Sequence, residues 1–105
     1  MKLLDLKSMH AFPYGERHKN ELYKTDVFKV RIIELKTGEK LPPDGPCEME
    51  TYVIFHIVSG RIVINIDKEH AEAGEDQWVI SEPGNYQMEA LEDTKIMGIQ
   101  IQKRE

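Results

Sequence analysis

Apolar residues along the chain recur with a period of two, in short runs broken by Gly, Pro, Asp and Asn. The run 26–35 (DVFKVRIIEL) puts Phe28, Val30 and Ile32 on one face and Val27, Ile33 and Leu35 on the other. That is the pattern of a strand covered at least partly on both sides. Residues 51–58 (TYVIFHIV) are β-branched or aromatic almost throughout, and 61–67 (RIVINID) alternate Ile62, Ile64 and Ile66 against Val63 and Asn65. The intervening Ser59-Gly60 predicts a two-residue hairpin, because Gly supplies the positive φ that a tight turn demands. Turn residues at Gly74-Glu75-Asp76 and at 82–85 (EPGN) bracket a short strand at Trp78-Val79-Ile80. A strand over 86–91 and a bend at Glu92-Asp93 lead to a last strand over 95–101 (KIMGIQI), with Met97, Ile99 and Ile101 on one face. Only 69–73 has helical composition, and it is too short to hold a helix alone. Near the start, Leu3-Leu4-Asp5-Leu6 can pair as an edge strand, and 14–18 reads as a loop. Strands at roughly 8–12-residue spacing with turn signals between them predict an all-β sandwich or barrel.

The length of 105 residues suits one domain, and the 40% hydrophobic content excludes an intrinsically disordered chain. Lys and Arg number 14 against 19 Asp and Glu, a net charge of −5. Without clustered cations, nucleic acid is not an expected partner. No apolar run approaches the ~20 residues that span a bilayer, so no membrane partner is expected either. Asp5 interrupts the place where a signal peptide would have its apolar stretch, which predicts a soluble cytoplasmic protein. The single cysteine, Cys47, has no partner for an internal disulfide. Its sequence neighbours Asp44, Glu48 and Glu50 include neither the base nor the cation that a thiolate nucleophile needs.

The stretch from Gly38 to Ile101 resembles the small single-domain cupins. The likeness rests on Gly38, Leu41-Pro42-Pro43, the run Val53–Gly60, the Ala73-Gly74-Glu75 turn and the Ile80…Pro83-Gly84…Ala90 segment. Leu91-Glu92-Asp93-Thr94 then leads into the terminal strand. The resemblance implies an all-β, double-stranded β-helix (jelly-roll) barrel over residues 26–105, with residues 1–25 as a short N-terminal segment packing on it. It also implies where metal ligands would stand: two histidines and a glutamate in a His-x-His-x(3–4)-Glu arrangement, and a third histidine in the second half. Neutral imidazoles and a carboxylate around a divalent ion leave open positions for substrate or O₂. Counting from Gly38, the paired-histidine positions fall on Asp44 and Pro46. Counting back from Gly60, they fall on Pro46 and Glu48 or on Cys47 and Met49, with Val53 at the glutamate; in the second half the histidine position lies near 85–87, where Tyr86 fits best against Met88-Glu89-Ala90. No register produces the ligand set, so no cofactor is expected.

The pocket candidates are therefore Asp44, Glu48, Glu50, Val53, Tyr86 and Gln87. Val53 makes the barrel drier, and the Tyr86 phenol can donate a hydrogen bond into a pocket or simply plug it. Asp44, Glu48, Glu50, Cys47 and Gln87 can alternatively rebuild an oxygen-rich site for Mg²⁺, Ca²⁺ or Mn²⁺. If Val53, Phe55 and Ile57 face inward, as the resemblance implies, His56 faces outward into a sheet-packing or subunit interface. Of the remaining histidines, His70 lies in a solvated connection, and His10 and His18 belong to the N-terminal segment. Trp78 reads as core or interface. Tyr52 and Ile54 give the strand a second apolar face, which calls for cover by the N-terminal segment or by a second copy, and predicts a homodimer through sheet faces. Three functions compete: a metal-free small-molecule-binding or regulatory module, a metal-dependent dioxygenase or isomerase with a remodelled site, and a purely structural dimer module. Fold alone does not choose among them.

Overall fold

A computed structural model describes residues 1–102. Ten strands follow a 3₁₀ segment at Tyr14–Asn20: β1 (Glu21–Lys24), β2 (Phe28–Leu35), β3 (Lys40–Leu41), β4 (Cys47–Met49), β5 (Tyr52–Ser59), β6 (Arg61–Ile66), β7 (Glu69–Gly74), β8 (Trp78–Ser81), β9 (Gly84–Ala90) and β10 (Thr94–Ile101). They form two sheets, one ordered β1-β2-β10-β5-β8 and the other β3-β9-β6-β7, with β4 also paired to β9. All pairings are antiparallel, and β10 sits between β2 and β5 in the first sheet. The chain alternates between sheets as it advances, which is the winding of a double-stranded β-helix.

The alternation decides what lies between the sheets. Val53, Phe55 and Ile57 of β5 face inward against Ile62, Ile64 and Ile66 of β6, with Met88 and Ala90 of β9 and Ile96 of β10 completing one cluster. Ile57, Ile62 and Ile96 are sealed at 0% exposure. Full burial of each such side chain stabilises the fold by about 1.5–3 kcal/mol. His56, between Phe55 and Ile57, accordingly faces outward. Its ring lies 6.0 Å from that of Trp78, and its Nε2 is 3.8 Å from Asp76.

Three local expectations are corrected and a fourth, for Trp78, is narrowed. Ser59-Gly60 does not join a hairpin: β5 and β6 belong to different sheets, and the turn is a corner between layers. Gly60 has the positive φ (89°) that either geometry requires, so the pattern alone does not separate them. Residues 69–73, of helical composition, lie in β7, the strand at the edge of the second sheet, paired to β6 from Arg61↔Gly74 to Ile66↔Glu69. Leu3–Leu6 form no strand; the edge position beside β2 is taken by β1 at Glu21–Lys24. Trp78 is 57% exposed and lies on the outer face beside His56, not in the barrel interior.

The N-terminal segment crosses the outer face of the first sheet. The Lys95 ammonium, on a buried residue, donates to the carbonyls of Leu6 (3.0 Å) and Lys7 (3.1 Å). Glu34, the cross-strand neighbour of Lys95, accepts the Ala11 amide. The next outward pair, Ile32 and Met97, is buried at 1% and 4%.

Candidate functional site

A cavity of about 980 Å³ opens between the β2 edge of the first sheet and the β3–β4 edge of the second. That is the upper end of the volume usual for small-molecule sites. The opening arises because β1 pairs with β2 only as far as Arg31, leaving the edge of Ile32–Leu35 free to border it. Its inner wall is made by Ile33, Leu35, Met49, Val53, Phe55 and Tyr86. At the mouth stand Phe12, Tyr14 and Arg17 of the N-terminal segment. The buried Asn20 fixes Phe12 by accepting its amide (2.7 Å) and donating to its carbonyl (3.1 Å). Arg17 lies over the Tyr14 ring at 4.2 Å and donates to the Tyr14 carbonyl.

Tyr86 is the polar group at the centre of this wall. Its ring is 6.2 Å from Phe55, and its strand neighbour across the ladder is Cys47. Burial first, and then the neighbouring Cys47 and Tyr14, push its phenol up to about 12. The folded state thus holds the Tyr86 proton more tightly than the unfolded chain does, so the associated stability is complete below about pH 10 and is lost between about pH 10 and 12. Absorbance titration of the phenolates is expected to show one tyrosine ionising late, in step with the alkaline loss of folding. Tyr86→Phe should remove that late component.

The structure separates the remaining candidates. Val53 is buried in the inner wall. Asp44, Glu48 and Glu50 are exposed, and none of them lines the cavity. Glu48 and Glu50 alternate with the inward Met49, which turns both carboxylates outward. Gln87 alternates with the buried Met88, and its Nε2 donates to the Pro42 carbonyl at 2.9 Å, anchoring the 42–46 loop to β9. Cys47 reaches the rim but is otherwise exposed.

The donor set at the barrel centre does not fit the metal that cupin-type barrels imply. Met49, Val53 and Tyr86 are among the side chains that face this centre. Among the described residues no three His, Cys, Asp or Glu side chains are grouped to hold one ion. A thioether, an isopropyl group and a protonated phenol do not replace those ligands.

Two residues that patterning did not single out also line this cavity: Arg31 of β2 and Gln100 of β10. Their signal was parity. Arg31 shares its face of β2 with Ile33 and Leu35, and Gln100 shares its face of β10 with Ile96 and Gly98. The lining therefore combines an apolar inner wall with polar and charged side chains, which together can orient a small molecule.

No family model matches this chain, and no curated protein matches it in sequence. Solved structures match it in fold. An RmlC-like cupin protein from Desulfovibrio desulfuricans superposes with a TM-score of 0.76 at 15% identity, over 96% of each chain. A cupin superfamily protein from Desulfitobacterium hafniense gives 0.70 at 14% identity, covering 79% of this chain and 74% of its own. An RmlC-like cupin family protein with a double-stranded β-helix fold, from Methanocaldococcus jannaschii, gives 0.69 at 17%, covering 78% and 76%. This protein has the fold of a small cupin domain.

Proposed function

We propose that the protein is a small-molecule-binding cupin barrel that works without a metal, as a binding or regulatory module. The observation that carries this reading is the pairing of a roomy cavity that has an apolar inner wall with a donor set that, among the described residues, lacks the ligands of a metal centre. Elemental analysis of tag-free protein purified without chelator tests it. Less than about a tenth of an equivalent per subunit is expected, unchanged after incubation with Mn²⁺, Fe²⁺, Ni²⁺ and Zn²⁺ and desalting. Close to one equivalent of a transition metal would overturn the proposal in favour of an oxygenase or isomerase.

We also propose that the chain works as a homodimer through the outer face of the first sheet. On that face the cross-strand neighbours Ile99, Ile54 and Ile80 form a row, with Ile101 and Tyr52 beside it. Ile80 is 70% exposed and Tyr52 52%, beyond the stretch that the N-terminal segment crosses. Contiguous apolar surface of this kind is a usual mark of an interface. Sedimentation velocity is expected to give a dimer for the wild type and a monomer for Ile80→Glu with its fold intact; a monomeric wild type sinks the proposal.

A further inference from the structure

Arg31 and Gln100 both line the cavity, and each has a buried side-chain atom, Arg31 Nε and Gln100 Oε1, without a hydrogen-bond partner within the protein. Buried polar groups are normally satisfied, and such exceptions call for an explanation. One of these atoms is a donor and the other an acceptor. They belong to adjacent strands: Arg31 pairs with Gly98, and Gln100 lies two residues further along the same inward face. Diagonal neighbours of this kind are about 7–8 Å apart, within reach of one small ligand. Gly98, between them, has no side chain to fill the space. A Cβ there would meet Phe55 and Ile33 only at 3.5 and 3.6 Å.

The charge at this end of the cavity selects the ligand further. Arg31 Nη2 is 3.6 Å from Glu21, so that end of the guanidinium is engaged while Nε is unpaired. Lys29 lies on the same face of β2, and its ammonium is held below its ordinary value, first by burial and then by the nearby Arg31. The acidic residues bordering the cavity are occupied: Glu34 accepts from Ala11, Glu39 from Lys36, and Asp93 from Thr37.

We infer that the barrel takes a small carboxylate with an adjacent hydroxyl or N–H donor, its carboxylate on Arg31, its donor on Gln100 and its carbon skeleton against Phe55 and Val53. A monoanion suits a guanidinium whose charge is already shared with Glu21. This inference rests on the proposal that the barrel binds small molecules, and deepens it by naming the ligand class.

The test uses lactate, mandelate and 3-phenyllactate, each against its primary amide, followed by ¹H–¹⁵N correlation spectra of the wild-type protein. The carboxylates are expected to shift the Gly98 and Gln100 backbone signals and to bind at least about tenfold tighter than their amides, a difference that Arg31→Met abolishes. Arg31→Lys, which keeps the charge but not the planar fork, is expected to recover only part of it. Amides that bind as tightly as acids would overturn the carboxylate assignment and leave the small-molecule reading standing. If none of the six compounds moves a cavity signal, both fall. The wild-type comparison decides the matter even if Arg31→Met does not fold.

Discussion

Gly60→Ala is expected to destabilise the protein by about 2–5 kcal/mol, whereas Gly38→Ala should cost only about 1 kcal/mol. Both glycines hold positive φ, 89° and 86°, so alanine is strained at either. They differ in what a methyl group would meet. At Gly38 nothing lies within 4 Å. At Gly60 a Cβ would run into the Asp93 carbonyl and the Thr94 hydroxyl and stand 2.7 Å from Thr94 Cα. Backbone cannot rotate away as a side chain can. The obstructing residues are themselves fixed, since the Thr94 hydroxyl accepts the Arg61 amide at 3.0 Å and donates to the Glu92 carbonyl at 2.8 Å. The Arg61 carbonyl in turn accepts the Leu91 amide. Opening this corner to admit a methyl group would displace the junction where β5 passes to β6 and where β10 begins. At about 4–8 °C per kcal/mol for a domain of this size, the two variants should separate clearly in thermal unfolding. Equal losses would mean that backbone strain alone governs the corner.

That corner also marks where sequence patterning reached its limit. Period-two alternation located β2, β5, β6 and β10 to within about two residues, because each buries one face in the same core. Inward parity on β5 followed once the fold was known, and with it the outward His56. Alternation says nothing, however, about which sheet a strand joins. Ser59-Gly60 satisfies the turn chemistry of a hairpin and of an inter-layer corner equally well. The edge strand β7 failed for a different reason. Glu69 to Glu72 are all exposed, so no buried face imprints its period, and pairing with β6 overrides the helical composition. The site was legible only in part. Val53 and Tyr86 lie on inward positions, but Asp44, Glu48 and Glu50 attract notice as carboxylates while their parity relative to Met49 turns them outward. Arg31 carries the opposite lesson, being a charged residue inside an apolar alternation. It shares its face with Ile33 and Leu35, and its side chain still points into the barrel because the cavity leaves room for it there.

The barrel is sealed at its middle strands and open along the β2 edge, and matched isoleucines should report the difference. Ile57→Ala is expected to cost about 4 kcal/mol, while Ile33→Ala should cost about 1–2 kcal/mol. The deleted atoms are the same in both. Ile57 is 0% exposed, does not border the cavity, and packs beside Ile96, its cross-strand neighbour. Its amide and carbonyl are tied to Gln77 and Asp76, so the strand has little freedom to settle into the void. Ile33 is only partly buried and already borders open space, so its loss widens an existing cavity that water can enter. Urea denaturation with unchanged m-values checks both figures. The functional consequence follows from the same division of the core. If the Ile33 position tolerates truncation, the wall beside Arg31 and Gly98 can be reshaped around larger ligands at little cost in folding, because stability is concentrated in the fully buried Ile57, Ile62 and Ile96. Equal costs at the two positions would show instead that the open wall is under the same packing constraint as the sealed core, and that ligand size is fixed by the fold itself.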